Sequence, residues 1–208
     1  MSPLFYQLIM KKQIIAAAVL CTVLSSAAFA QQTTQGPWMV RARAVHLNSA
    51  NGDGTPLGLS INNKWMPEFD ISYFFDKNVA LELVLTVPQK HTLRSSVLNA
   101  EVGTLKHLPP ALLVQYHFPL SGFKPYVGAG INYTQFSSVN LLPGVDIKRS
   151  SWAPALQVGV DIPLTGNIYL NVDMKKVYIR TDVSVAGANL GTFKIDPVLF
   201  GVGLGWRF

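Results

Sequence analysis

Four histidines, His46, His91, His107 and His117, are the side chains best suited to pass a proton or hold a metal near neutral pH. They are scattered among strand ends, loops and one strand interior, and no two stand at metal-ligand spacing. The lone Cys21 excludes a disulfide scaffold and any cysteine-based zinc site. Lipid hydrolysis or acyl transfer would need a serine or water activated by a histidine that a carboxylate orients. No convincing nucleophile answers that description, so the chain reads as a non-enzyme with neither metal nor cofactor. His107 precedes Pro109-Pro110 at a strand start, where a structural or interfacial role fits it. Gly128-Ala129-Gly130 lacks the third glycine and the helix of a dinucleotide-binding loop.

The remaining polar residues take their meaning from the elements that carry them, and those elements have a period of two. Phe200, Val202, Leu204, Trp206 and Phe208 share one face of the last segment, while Gly201, Gly203, Gly205 and Arg207 share the other. Val127, Ala129, Ile131 and Tyr133 alternate in the same way with Gly128, Gly130, Asn132 and Thr134. That is a strand period, not a helical one. Six further segments obey it, around Val40-Ala44, Phe69-Phe75, Val79-Val87, Leu112-Phe118, Leu156-Ile162 and Ile168-Met174. One place breaks phase: Val177, Ile179, Thr181 and Val183 continue the apolar positions after Met174 with the opposite parity, which predicts a bulge or the barrel rim near Lys175-Lys176.

Eight strands follow, joined by a rhythm of tight turns (Asp76-Lys77-Asn78, Ser121 to Lys124, Thr165-Gly166-Asn167) and long loops (Asn48 to Pro67, Pro88 to Pro110, Ser137 to Ser151), with a moderate last loop at Ala186 to Gly191. Lys11-Lys12, the apolar run Ile14 to Leu24 and Ala28-Phe29-Ala30 read as a secretory signal peptide over residues 1–30, with translation starting at Met1 or Met10. The apolar run is too short for a spanning helix, which needs about 20 residues. Without Lys11 and Lys12 the 17 basic residues become 15 against 11 acidic, or +4, too mild a balance for a nucleic-acid partner.

Residues 31–208 therefore predict an all-β domain, an eight-stranded antiparallel up-and-down transmembrane β-barrel in the Gram-negative outer membrane. An even strand number leaves both termini on the periplasmic side. Closure is forced, because an unpaired backbone amide in hydrocarbon costs several kcal/mol and a spanning sheet cannot keep an edge. The apolar faces meet lipid and lipopolysaccharide. The polar faces, with Arg41, Arg43, Asp70, Glu82, Gln115, His117, Asn132, Gln157, Asp161, Asn171, Asp173, Lys175 and Arg207, point inward as a mutually paired lumen network. Trp206 and Phe208 end the chain as a C-terminal signal for the barrel-assembly machinery.

Several stretches together resemble the OmpW family of small outer-membrane barrels. They are Gly103 to Tyr116, Pro125 to Thr134, Gln157 to Asp161, Asp196-Pro197 and Gly205-Trp206-Arg207-Phe208. The likeness covers nearly all of residues 31–208 and is specific through the order and spacing of these pieces. It implies a narrow, largely apolar channel giving small hydrophobic molecules passive passage, with an internal constriction at the positions of Val84 and Trp152. Trp152 has a competing assignment as a girdle aromatic, because its parity places it with lipid-facing Leu156. Apolar loop residues suit a funnel above such a channel: Leu57, Leu59, Ile61, Trp65 and Met66, then Leu93, Val97, Leu98, Val102 and Leu105, then Leu141 and Leu142. Packing of the loops against one another is the alternative for each. Should Arg41, Arg43, Asp70, Glu82 and Asp173 seal the lower barrel, solutes would have to leave sideways into the bilayer, with Pro154, Pro163 and Pro197 as candidate weak points. A plugged barrel acting through its loops, in adhesion, stress defence or as a phage or bacteriocin receptor, stays open beside the channel.

Overall fold

The computed structural model describes residues 35–208. The predicted signal peptide, with Lys11, Lys12 and Cys21, lies outside the described residues. Strands run in the order β1 (Trp38–Asn48), β2 (Gly52–Asp53), β3 (Leu59–Ile61), β4 (Lys64–Phe74), β5 (Val79–Thr86), β6 (Gln89–Ser95), β7 (Ala100–Leu108), β8 (Ala111–His117), β9 (Lys124–Leu141), β10 (Val145–Ile147), β11 (Ser150–Thr165), β12 (Ile168–Val177), β13 (Arg180–Val185), β14 (Ala188–Lys194) and β15 (Val198–Arg207). Eight of them close a cylinder, β1-β4-β5-β8-β9-β11-β12-β15, and β15 returns to β1 with Met39 opposite Arg207 and Asn48 opposite Val198. Every neighbour is antiparallel and consecutive around the wall.

The alternation in the sequence explains the closure. Along β15, Phe200, Val202, Leu204 and Trp206 point out and are exposed, whereas Leu199 and Arg207 point in and are buried. Every barrel strand repeats this sorting, so the outer wall is apolar and charge collects on the inner wall, with Lys176 at the loop end of β12 as an outward exception. Such a wall has nowhere to go in water and no free edge in hydrocarbon. Aromatic belts stand at both heights of the wall. Trp38, Tyr73 and Phe75 pack edge to face near the tight turns, and Trp152 lies on Tyr133 at the other end, with ring centroids 4.6 Å apart.

Two expectations change. Between β12 and β15 the register runs without a break from Ile168 to Lys176, so there is no bulge at Lys175-Lys176, and of the two alternatives it is the rim that lies there, β12 ending at Val177. The parity of Val177 and Ile179 is that of inward Lys175, and both are buried; what switches there is the chemistry of the inner face, from ionic to apolar. The last loop is also longer than Ala186 to Gly191, because Tyr178–Pro197 carries the β13–β14 hairpin. With β2 and β10 this hairpin forms a four-stranded sheet over the loop end, while β3, β6 and β7 extend the wall beside β9.

Candidate functional site

The lumen has two levels. At the turn end, β1 supplies Arg41 and Arg43 on its inner face, opposite Asp70 and Glu68 of β4, with Glu82 of β5 beyond. Arg41 donates to Asp70 (3.0 Å), Ser72 (2.8 Å) and Asp161 (2.8 Å). Arg43 donates to Asp70 and, at 2.9 Å, to Glu82, and its guanidinium stands 3.3 Å from both Glu68 and Asp173. Lys175 bridges Glu68 (2.8 Å) and Asp173. Five carboxylates (Glu68, Asp70, Glu82, Asp161, Asp173) thus surround three cations (Arg41, Arg43, Lys175), all buried.

Neutral donors serve the excess carboxylate oxygens. Gln157 donates to Glu82 (2.9 Å) and Asp173 (2.8 Å), Tyr126 to Asp173 (2.8 Å) and Asn171 to Asp161 (2.8 Å). Gln115 donates to Gln157 (2.9 Å), and His117 pairs with Gln115 (3.0 Å). Gly159 makes this possible, because any Cβ there would strike the Tyr126 ring. Beneath the network Met39, Phe74, Ala80 and Tyr169 form a small apolar plug, and Arg207 lies 3.7 Å over the Phe74 ring. Arg41, Arg43, Glu82, Asn171 and Asp173, each 3% exposed or less, fill this part of the lumen.

Above the network the inner wall is largely apolar. Val45, Leu47, Met66, Val84, Leu113, Ala155, Val177, Ile179 and Leu199 join Leu59, Ile61, Leu93, Val102, Leu105 and Phe136 from the loop strands in one cluster. Between ionic floor and apolar cap lies a chamber of about 10 Å³, the space of one water. Leu47, Met66, Val84, Val177, Ile179 and Leu199 line its apolar sides, with Glu68, Thr86, His107 and Lys175 as the polar groups. His107 and His91 stack with centroids 4.7 Å apart, and both are buried in the hairpin that stands above the lipid-facing wall. Burial pushes His107 down to about 3 and His91 down to about 4, so both rings are neutral in ordinary buffers.

Ladder pairing in the wall stops beside this chamber. Register between β5 and β8 ends at Val84 opposite Ala111. Beyond it Pro88, Pro109 and Pro110 offer no backbone donor, and pairing resumes only inside the β6–β7 hairpin, at Gln89 opposite His107. Thr86, Pro109 and Ala111 of this seam line the chamber, and Leu85, Val87 and Leu112 face outward beside it.

The predicted residues sort unevenly onto this frame. Arg41, Arg43, Asp70, Glu82, Gln115, Gln157, Asp161, Asp173 and Lys175 meet in the floor network, and Asn132 sits apart, donating to the Pro110 carbonyl (2.9 Å). Val84 lines the chamber, 2% exposed. Trp152 does not constrict the lumen: it is 69% exposed on the outer wall, because Pro154 leaves the strand phase intact and keeps Trp152 on the side of Leu156. Of the funnel residues Leu59, Ile61 and Leu93 are buried in the apolar cap, with Leu57 and Leu141 packed against it. Trp65, Leu98 and Leu142 are exposed outside it, Trp65 on the outer wall and the other two on the loops. Pro154 and Pro197 are not gaps, since their carbonyls accept from Tyr178 (3.2 Å) and Val177 (3.1 Å), and Pro163 adjoins a bulge at the turn end.

Sequence reasoning missed Glu68, Thr86, Tyr126 and the His91–His107 contact. Parity with Asp70 was signal enough for Glu68, and parity with Gly128 for Tyr126. The histidine contact depends on a hairpin register that nothing local in the sequence fixes.

Residues 34–208 match the model of the OmpW family. The chain belongs to that family. Over 96% of its length it is 32% identical to Outer membrane protein W of Escherichia coli, all of which is covered. An outer-membrane protein of Sinorhizobium fredii, y4mB, is 39% identical over 83% of this chain and 80% of its own. The crystal structure of OprG from Pseudomonas aeruginosa shares the fold, with a TM-score of 0.69 at 24% identity, covering 86% of this chain and 99% of that one. This OmpW-family chain is therefore a Gram-negative outer-membrane barrel, and its apolar outer wall is the surface that faces lipid.

Proposed function

We propose that the barrel gives small hydrophobic molecules passive passage through the lipopolysaccharide layer, entering at the loop end and leaving sideways into the bilayer through the seam between β5 and β8. The observation that carries this reading is the division of the lumen: an apolar upper level rests on a floor of buried ion pairs. A solute moving into the upper level displaces contacts it can itself replace, whereas one crossing the floor would strand buried charges. The seam adjoins the chamber and ends ladder pairing with three prolines, so it is where the wall parts with least loss. In this reading both termini face the periplasm, residues 1–30 direct export, and Trp206 and Phe208 present the closing strand to the barrel-assembly machinery.

The test is uptake of naphthalene by cells that produce the protein against cells that do not. Faster uptake is expected, and Val84→Phe, which fills the chamber, returns it toward the control rate. Equal uptake in both strains contradicts the reading.

A second reading has its own observation. Val97 and Leu98, at the tip of the β6–β7 hairpin, are 66% and 53% exposed, beyond the apolar outer wall. An apolar loop tip of this kind suits attachment to a cell, phage or bacteriocin. Attachment abolished by Val97→Ser with Leu98→Ser, with naphthalene uptake equal in producing and non-producing cells, would favour it.

A further inference from the structure

Of the eight buried side-chain polar atoms that make no hydrogen bond among the described residues, four lie around the chamber. Glu68 Oε2, Thr86 Oγ1 and both ring nitrogens of His107 are buried and make no hydrogen bond. Glu68 and His107 are 1% and 0% exposed, and all three residues line the chamber. Glu68 and Thr86 are register partners on β4 and β5, which puts them side by side on the inner wall. A buried polar atom left unbonded costs about 1–3 kcal/mol, so several around one small space mark a place built for a polar group.

The chemistry of that group follows from what is left over. A carboxylate oxygen can only accept, so the visitor must donate. A threonine hydroxyl and a neutral imidazole can each donate in return, so the visitor must also accept. Lys175 also lines the chamber, but its ammonium is already engaged by Glu68 and Asp173, so an anionic head meets the unbonded Glu68 oxygen, and a bulky ionic one does not fit about 10 Å³. A hydroxyl satisfies all of these conditions, that of an alcohol taking the place one water would fill. The walls around it are hydrocarbon, and the seam at Thr86 and Pro109 leads from the chamber to lipid-facing Leu85 and Val87.

We propose that Glu68, Thr86 and His107 form a head-group site for neutral molecules with an apolar body and a single hydroxyl, namely small alcohols and phenols. The hydroxyl donates to Glu68 Oε2 and accepts from Thr86 or His107, while the body lies along the seam between β5 and β8. This rests on the lateral-passage reading and narrows it, since hydroxylated solutes are held and plain hydrocarbons only pass.

The full chain labelled with 15N at histidine, in lipid nanodiscs, is titrated with 1-hexanol and separately with hexane. The His107 ring signals, identified by their loss in His107→Phe, are expected to shift with 1-hexanol and not with hexane. Thr86→Val should raise the 1-hexanol midpoint about tenfold, the worth of one buried hydrogen bond. Retention of the heat-modified gel mobility of a folded barrel shows that either variant is intact. Equal shifts with both compounds, or none with 1-hexanol in protein that still speeds naphthalene uptake, overturn the site alone. Loss of naphthalene uptake itself overturns the transport reading beneath it.

Discussion

The two halves of the lumen are built on the same strands, with the same alternation and the same burial, yet one is held by charge and the other by hydrocarbon. Arg41 and Arg43 at the turn end and Val45 and Leu47 at the loop end are successive inward residues of a single strand. The difference lies in what can replace each contact. An apolar solute would restore the dispersion and burial it disturbs among Leu47, Val84 and Leu199, which is why the proposed passage runs through the upper half. Nothing apolar restores the partners of Arg43. In the proposed passage, selectivity and closure come from one device: a floor whose opening is costly, under a cap whose opening the permeant compensates.

The largest effect that breaks this contrast should come from the floor. Arg43→Ala leaves Glu68, Asp70, Glu82 and Asp173 short of a shared cation and is expected to lower stability by about 3–5 kcal/mol in urea titrations of the micelle-folded barrel. A loss within the range of an ordinary surface substitution would mean that the ion pairs do not hold the floor.

Acid should act on the other half next. His91 and His107 titrate near 4 and 3 in the folded hairpin against about 6.5 when unfolded, so the unfolded state binds more protons between those limits. The stability they allow is complete above about 6.5 and falls away as the pH drops toward 4 and then 3. Amide exchange in β6 and β7 should therefore quicken between pH 7 and pH 4.5 while β1 and β15 stay protected. His107→Phe should flatten that response.

Gly159→Val comes third. It pushes Tyr126 off Asp173 and is expected to cost about 1–3 kcal/mol without changing naphthalene uptake, because it touches the floor and not the chamber. Trp152→Ala should be smallest. Removing its contact with Tyr133 is worth about 0.5–1.5 kcal/mol and should leave uptake alone, which separates an outer-wall aromatic from a constriction.

How much of this was legible in the sequence depends on the range of the interaction that decides it. Strand positions and facing were readable, because the period of two is local: Phe200 to Phe208 announces its outer face without reference to any other segment. The ionic floor was readable for the same reason, Arg41 and Asp70 being inward by parity whatever they pair with. Trp152 was misplaced when its likeness to a family position was set against its own parity, and parity prevailed. The phase change at Val177 offered a bulge or the rim; the rim is there, where β12 ends, but an inward apolar face above an inward ionic one was not anticipated. The seam, the chamber and the stacked histidines needed knowledge of where β5 stops opposite β8 and how β6 meets β7, which are properties of long-range register.

The central claim is that solutes leave through the wall and not through the floor. Cysteines at Val87 and Leu108 place one thiol on each side of the seam, and their oxidation to a disulfide can be followed by gel mobility. With the bond formed, naphthalene uptake should fall to the rate of cells lacking the protein and return on reduction. Uptake that persists through the oxidised protein, with naphthalene arriving in the periplasm, would contradict lateral release and the closed floor together.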